Sequence, residues 1–134
     1  MEEISISTGA RREIIDITSE VEAIVAKSGV KEGICVVYAP HATAAILIME
    51  ADGLVEKDVL SSLSNLVPND DRYEHSHGSE GHGASHVKSS LFSPSESIPV
   101  SKGKLRLGTW QSIAFCELDG PRSDRKALIQ VIGA

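Results

Sequence analysis

The chain has 134 residues, 41% of them apolar and 24% charged, and a formal net charge of −6. That length suits one domain, expected over residues 1–134, burying roughly two-thirds of the surface its unfolded chain would expose, so the fold needs neither metal nor disulfide to hold it. The acidic balance argues against a nucleic acid partner, which requires a basic footprint, and the longest apolar run, Ala44 to Met49, is too short to cross a bilayer. With neither a basic start nor an apolar stretch among the first residues, no secretory signal is indicated and a cytoplasmic location is expected.

Taken in chain order, "ISIST" alternates as an edge strand does, and "REIIDIT" reads as a second strand. Ser19 with Glu22 makes a capping box ahead of the apolar stripe Val21, Ile24 and Val25, and Gly29 stops that helix. "GICVVYAP" and "TAAILIME" are buried strands rich in β-branched residues. Cys35 and Cys116, in strand-like surroundings, suit two reduced buried thiols. Leu54, Val55, Val59, Leu60, Leu63 and Leu66 recur at helical spacing, predicting a helix from Gly53 to Leu66 closed by Pro68. A long loop follows to Gly83, then a short helix over "ASHVKSSLF". The last third reads as strands: "SIPV", the turn "SKGK", "LRLG", "TWQSIAFCEL", the turn "DGPR" and "KALIQVIG". Irregularly interleaved strands with two or three helices predict an α+β fold with a largely antiparallel sheet.

Four of the five histidines fall between residues 73 and 90. His75 and His77 share a face of an extended segment, and His82 and His86 share a face of a helix; both are metal spacings. Gly78, Gly81 and Gly83 weaken either periodicity, and a solvated loop is the equal alternative for His77 and His82. His41 lies at a strand end beside the core, where a histidine is either a hydrogen-bonded structural residue or one of three imidazoles leaving a metal position open. Glu50 and Glu117 each end an apolar strand; a carboxylate there either pairs with an arginine or orients a metal-bound histidine. Trp110, beside Gly108, is by itself a core tryptophan or a platform for a ligand. Between Lys102 and Lys126, six basic residues outnumber three acidic ones, which leaves small anionic ligands open.

In order, "HATAAILIME", "YEH", "SHVKSS", "IPVSKGKLRLGTWQSI" and "ELDGPRSDRK" resemble the YjbQ-like family, also called the secondary thiamine-phosphate synthase family, over nearly the whole chain. The resemblance implies a central β-sandwich, a homotrimer, and clefts near subunit interfaces. Its recurring histidines fall on His41, His75 and His86, whereas His77 and His82 occupy varying positions, and its other recurring residues fall on Glu50, Lys88, Thr109, Trp110, Gln111, Glu117 and Arg125. Met49 stands where an asparagine usually precedes the glutamate, and Gly53 near a common acidic position, for which Asp52 is the substitute.

The activity the resemblance implies joins a pyrimidine-methyl diphosphate to a thiazole phosphate, releasing pyrophosphate and giving thiamine phosphate. That reaction needs cations for the departing pyrophosphate, a platform for a flat ring and exclusion of water. Lys88, Arg106, Arg122 and Arg125 are the candidates for phosphate and Trp110 for the ring, with Thr109 and Gln111 as further substrate-binding candidates. A divalent ion on His41, His75 and His86 is the expected cofactor, zinc rather than magnesium because magnesium prefers oxygen ligands. Two alternatives stand beside this: a metal-dependent hydrolase with Glu117 or Glu50 as base, and a non-catalytic trimer that binds a small anion or metal.

Overall fold

In a computed structural model that describes all of residues 1–134, the chain forms β1 (Glu2–Ile6), β2 (Glu13–Asp16), α1 (Thr18–Ser28), β3 (Gly33–Tyr38), β4 (Ala44–Met49), α2 (Gly53–Leu66), α3 (His82–Phe92), β5 (Ser95–Ser101), β6 (Lys104–Leu105), β7 (Ser112–Glu117) and β8 (Arg125–Gly133). The strands make two antiparallel sheets, one in the order β1-β8-β3-β5-β6 and one in the order β2-β7-β4. The expected α+β, largely antiparallel architecture is therefore what forms.

Alternation along β1, β3, β5 and β8 turns Ile6, Cys35, Val37, Ile98, Val100, Ala127 and Ile129 to one side. There they meet Ile46 of β4, Ile113 and Phe115 of β7, and Val21 and Val25 of α1 in one core. Both faces of the smaller sheet are covered. Its outer face carries Ala45, Cys116 and Leu118, packed on Leu63, Val59 and Leu60 of α2 and on Phe92 of α3. This is why β7 is buried at five successive positions and reads as an unbroken apolar run rather than an alternating one.

Local chemistry explains most element ends. Gly29 takes the left-handed conformation, φ 72°, that stops α1. Asp52 caps α2, its Oδ1 accepting the N–H groups of Leu54 and Val55 at 2.9 and 3.1 Å. Three expectations need correction. The Ser19–Glu22 capping box does not form: Ile17 is buried, its N–H donates to Ile113 O at 2.9 Å, and it takes the cap position two residues ahead of Ser19. "LRLG" contributes only Leu105 to a strand, because beyond the "SKGK" turn pairing with β5 ends after two residues. Thr109 to Gln111 form a turn before β7, closed by Gln111 N–H donating to Gly108 O at 3.0 Å and Gly108 N–H donating to Gln111 Oε1 at 2.9 Å.

The turn from β7 to β8 rests on a buried ion pair. Glu117 and Arg125 are almost wholly enclosed, with side-chain exposures of 0% and 4%. Arg125 Nε donates to Glu117 Oε1 at 2.9 Å while its Nη2 donates to Oε2 and to Thr43 Oγ1, the latter at 2.8 Å. Thr8 Oγ1 donates to Glu117 Oε1 at 2.8 Å, and the N–H groups of Leu118 and Asp119 reach Oε2 at 3.0 and 3.1 Å. Burial alone would raise the Glu117 carboxyl; the bonds from Arg125, Asp119 and Thr8 outweigh it and hold the group below its ordinary value. Gly120 is required in this turn, since a Cβ there would lie 2.3 Å from Ala10 O. Removing one partner of such a pair leaves a buried charge alone, so Arg125→Met is expected to cost about 3–5 kcal/mol in urea denaturation. A variant within about 1 kcal/mol of wild type would show that the pair does not hold this turn.

Candidate functional site

The site is built where the 67–81 loop meets the first turn of α3. Gly81, at φ 85°, turns the chain into the helix. Gly83 then admits the loop: a Cβ there would lie 2.1 Å from His75 O, so only glycine lets the backbone of His75 lie against the helix. His82 and His86, four apart, share one face of α3, and His75 comes down over them.

The three rings converge. Centroids of His75 and His86 are 4.5 Å apart, those of His82 and His86 4.7 Å, and those of His75 and His82 5.2 Å. One nitrogen from each lies within 4.8 Å of the others. His77 stacks edge-on against His75 at 4.2 Å and stands 5.4 Å from His82, on the flank of the group.

His82 is held by a carboxylate. Its Nδ1 lies 2.9 Å from Asp119 Oδ2, and Asp119 in turn pairs with Arg11 at 2.9 Å and Arg122 at 3.2 Å. Asp119 accepts a hydrogen bond from His82 Nδ1–H, which leaves Nε2 facing the other two rings, the arrangement that orients a metal-bound imidazole. His86 Nε2 is 3.2 Å from His82 Nε2. Tetrahedral zinc with Zn–N of about 2.0–2.1 Å spaces its ligand nitrogens roughly 3.3–3.4 Å apart, so the pair has the separation of two ligands on one ion. Burial first, then His82 and His75, keep His86 below its ordinary value and hence neutral, the ligating form. The donor set fits a late divalent ion such as zinc and not magnesium.

His41 stands apart from these three rings. Its Nε2 accepts the N–H of Lys126 at 3.0 Å, and its ring packs edge-on to Phe115 at 6.3 Å. Burial, then the nearby Arg125 guanidinium, hold it below its ordinary value. It is joined to the cluster by a cleft of about 430 Å³ that it lines together with His86, Tyr38, Ser89 and Ser90. Of the candidate carboxylates, Glu117 is spent on Arg125 and Glu50 is exposed at the end of β4. Among the candidate cations, Arg122 reaches the cluster through Asp119, and Lys88 is fully buried on α3 with its ammonium donating to Asn69 Oδ1. Arg125 is bound up with Glu117 and Thr43, and Arg106 is exposed beyond β6 beside Lys102 and Lys104. Thr109, Trp110 and Gln111 are exposed at the opposite end of β7 from Asp119, with Trp110 at 74% exposure. At about 3.3 Å per residue the six residues of β7 alone put roughly 20 Å between them.

Two participants, Asp119 and Arg11, went unnamed from sequence, and a third, His82, was named only by spacing. The i,i+4 spacing does point to His82, but the resemblance sets it aside. Asp119 and Arg11 carry no local signal, because Arg11 reaches residue 119 only through the fold.

A family model described as UPF0047 protein YjbQ-like matches residues 2–134. UPF0047 protein YugU of Bacillus subtilis is 44% identical over 133 residues, covering 97% of each chain. UPF0047 protein MJ1081 of Methanocaldococcus jannaschii is 43% identical over 129 residues, covering 96% of this chain and 91% of its own. The crystal structure of a YbjQ-like protein of unknown function from Sulfolobus solfataricus superimposes with a TM-score of 0.95 at 35% identity, covering 99% of this chain and 96% of that one. An uncharacterized conserved protein from Clostridium acetobutylicum does so at 0.91 and 43%, covering 98% and 100%. With a matching model across almost every residue and relatives this similar end to end, the chain belongs to the UPF0047 YjbQ-like family.

Proposed function

We propose that the chain is a metal-dependent enzyme on a small phosphorylated substrate, of the thiamine-phosphate synthase kind. It breaks the bond from a pyrimidine-methyl carbon to diphosphate and joins that carbon to a thiazole phosphate, the bonding pair leaving with pyrophosphate. The observation that carries this reading is the convergence of His75, His82 and His86 beside Asp119, on a part of an acidic chain where Arg11, Arg122 and Lys88 gather. A divalent ion held by the three imidazoles would supply positive charge to a substrate oxygen. The protein's own contribution is to fix His82 through Asp119, to keep His86 neutral, and to offer Arg122, half exposed, to a phosphate oxygen. The cleft between His86 and His41 is the place for the flat ring, with the Tyr38 ring on its wall.

A homotrimer completes this proposal. The exposed Trp110 turn lies too far along β7 to serve the histidines of its own chain, and a neighbouring subunit is the means of bringing it to a cleft. A cytoplasmic location belongs to the same proposal; no helix is long and apolar enough to cross a membrane.

A second reading is hydrolysis, favoured by the ligand set itself. Three imidazoles with a free side are the layout that lowers the pKa of a bound water. The geometry offers no carboxylate base from Glu117, whose oxygens are already committed.

Zinc titration of the chelated protein is expected to weaken at least about a hundredfold in His75→Ala, His82→Ala and His86→Ala, more than the loss of an outer partner gives. His41→Ala should bind as wild type does; equal loss in His41→Ala with none in His82→Ala would overturn the assignment. With both thiamine precursors, the zinc-loaded protein should form thiamine phosphate, and His86→Ala or chelation should abolish it. Turnover of phosphate esters by water without coupling would replace this reading with hydrolysis. Tight zinc retention with neither activity would leave a binding protein.

A further inference from the structure

At the base of the histidine cluster, positive charge exceeds what the chain neutralises. Three cations, Arg11, Arg12 and Arg122, gather near one carboxylate, Asp119, which is engaged by Arg11, Arg122 and His82, and a fourth, Lys88, stands near Arg12. Neither Arg12 nor Lys88 forms an ion pair, although Asp119 stands near Arg12. Lys88 is fully enclosed, and its one hydrogen bond goes to the neutral Asn69. Arg12 makes no hydrogen bond within the chain: its Nε is buried without a partner. Its Nη2 lies 3.1 Å from where a Cβ on Gly81 would sit, so the guanidinium rests over the entry to α3. Asn69 Cβ is 3.3 Å from the same point, which brings the partner of Lys88 to the same entry.

Bringing two cations together in a partly buried place without a counter-charge is costly. The cost shows at Arg12, whose guanidinium is lowered by burial and then by Arg11, with Asp119 offsetting only part of it. A third set of donors points the same way. α3 has no side-chain cap, and the N–H groups of Gly83 and Ala84 in its first turn find no acceptor in the chain.

We propose that Arg12, with Lys88 behind it and the open first turn of α3 beside it, forms a subsite for a phosphate or diphosphate group. The guanidinium supplies a planar fork that matches two phosphate oxygens, and the buried ammonium supplies a charge that water does not screen. The subsite lies one residue from His82, so a phosphate held there presents the rest of its molecule to the imidazole cluster. The assignment rests on the proposed enzyme only for the kind of molecule that carries the phosphate; the subsite itself stands on the uncompensated cations.

The test is calorimetric titration of the chelated, full-length protein with inorganic phosphate and with pyrophosphate at fixed ionic strength. Wild type should bind both saturably, Arg12→Met should bind at least about tenfold more weakly, and Arg12→Lys should fall between them, as expected when one charged hydrogen-bonding group is lost. Zinc affinity of Arg12→Met should match wild type, which separates loss of the subsite from loss of the fold. Unchanged phosphate binding in Arg12→Met, or no saturable binding by wild type, overturns the subsite. If precursors are never coupled but phosphate binding depends on Arg12, the subsite stands and the enzymatic reading falls. If coupling proceeds with the same KM in Arg12→Met, the subsite falls and the enzyme stands.

Discussion

A single carboxylate, Asp119, ties the histidines to the framework. It sits in the β7–β8 turn, two residues after Glu117, and its backbone N–H is one of the groups that Glu117 accepts. Glu117 is locked by Arg125 and Thr8, so the turn that carries Asp119 inherits the rigidity of a buried ion pair. Asp119 in turn aligns His82, and His82 sets where His86 and His75 can meet. Two of the imidazoles lie on α3 and the third on the long loop before it, a segment with little stability of its own. Their placement depends on this chain of contacts from the sheet outward, and a fault at Glu117 is felt at the cluster.

The charge distribution has the same origin. In an acidic protein, Arg11 and Arg122 hold Asp119 in place, while Arg12 and the neighbouring Lys88 are left without an ion pair. Structural economy would have paired or removed them, since unpaired buried charge costs more than an apolar substitute. Their persistence beside three metal-competent imidazoles fits a guest that brings its own negative charge.

Much of the fold was legible because it follows local rules. Gly29 as a stop, Gly53 to Leu66 as a helix and the apolar run of β7 came directly from propensity and periodicity. Where tertiary contacts compete, local rules lose. Ser19 and Glu22 have the pattern of a cap, but the bond from Ile17 to Ile113 starts the helix earlier. "GTWQ" looks like the start of a strand and is a turn, since Gly108 and Gln111 close on each other.

The site was legible only in pieces. His82 and His86 declare themselves by spacing, and His75 by the resemblance, but family recurrence also promotes His41, whose Nε2 faces the Lys126 N–H. Arg11 and Arg12 carry no signal in a sequence window because the residues they meet are far along the chain. The most direct test of the account is X-ray absorption at the zinc edge on the loaded protein. It should show three imidazole nitrogens at about 2.0–2.1 Å, with one lost in His82→Ala. A first shell of oxygens, or a shell that is the same in His82→Ala, would contradict it.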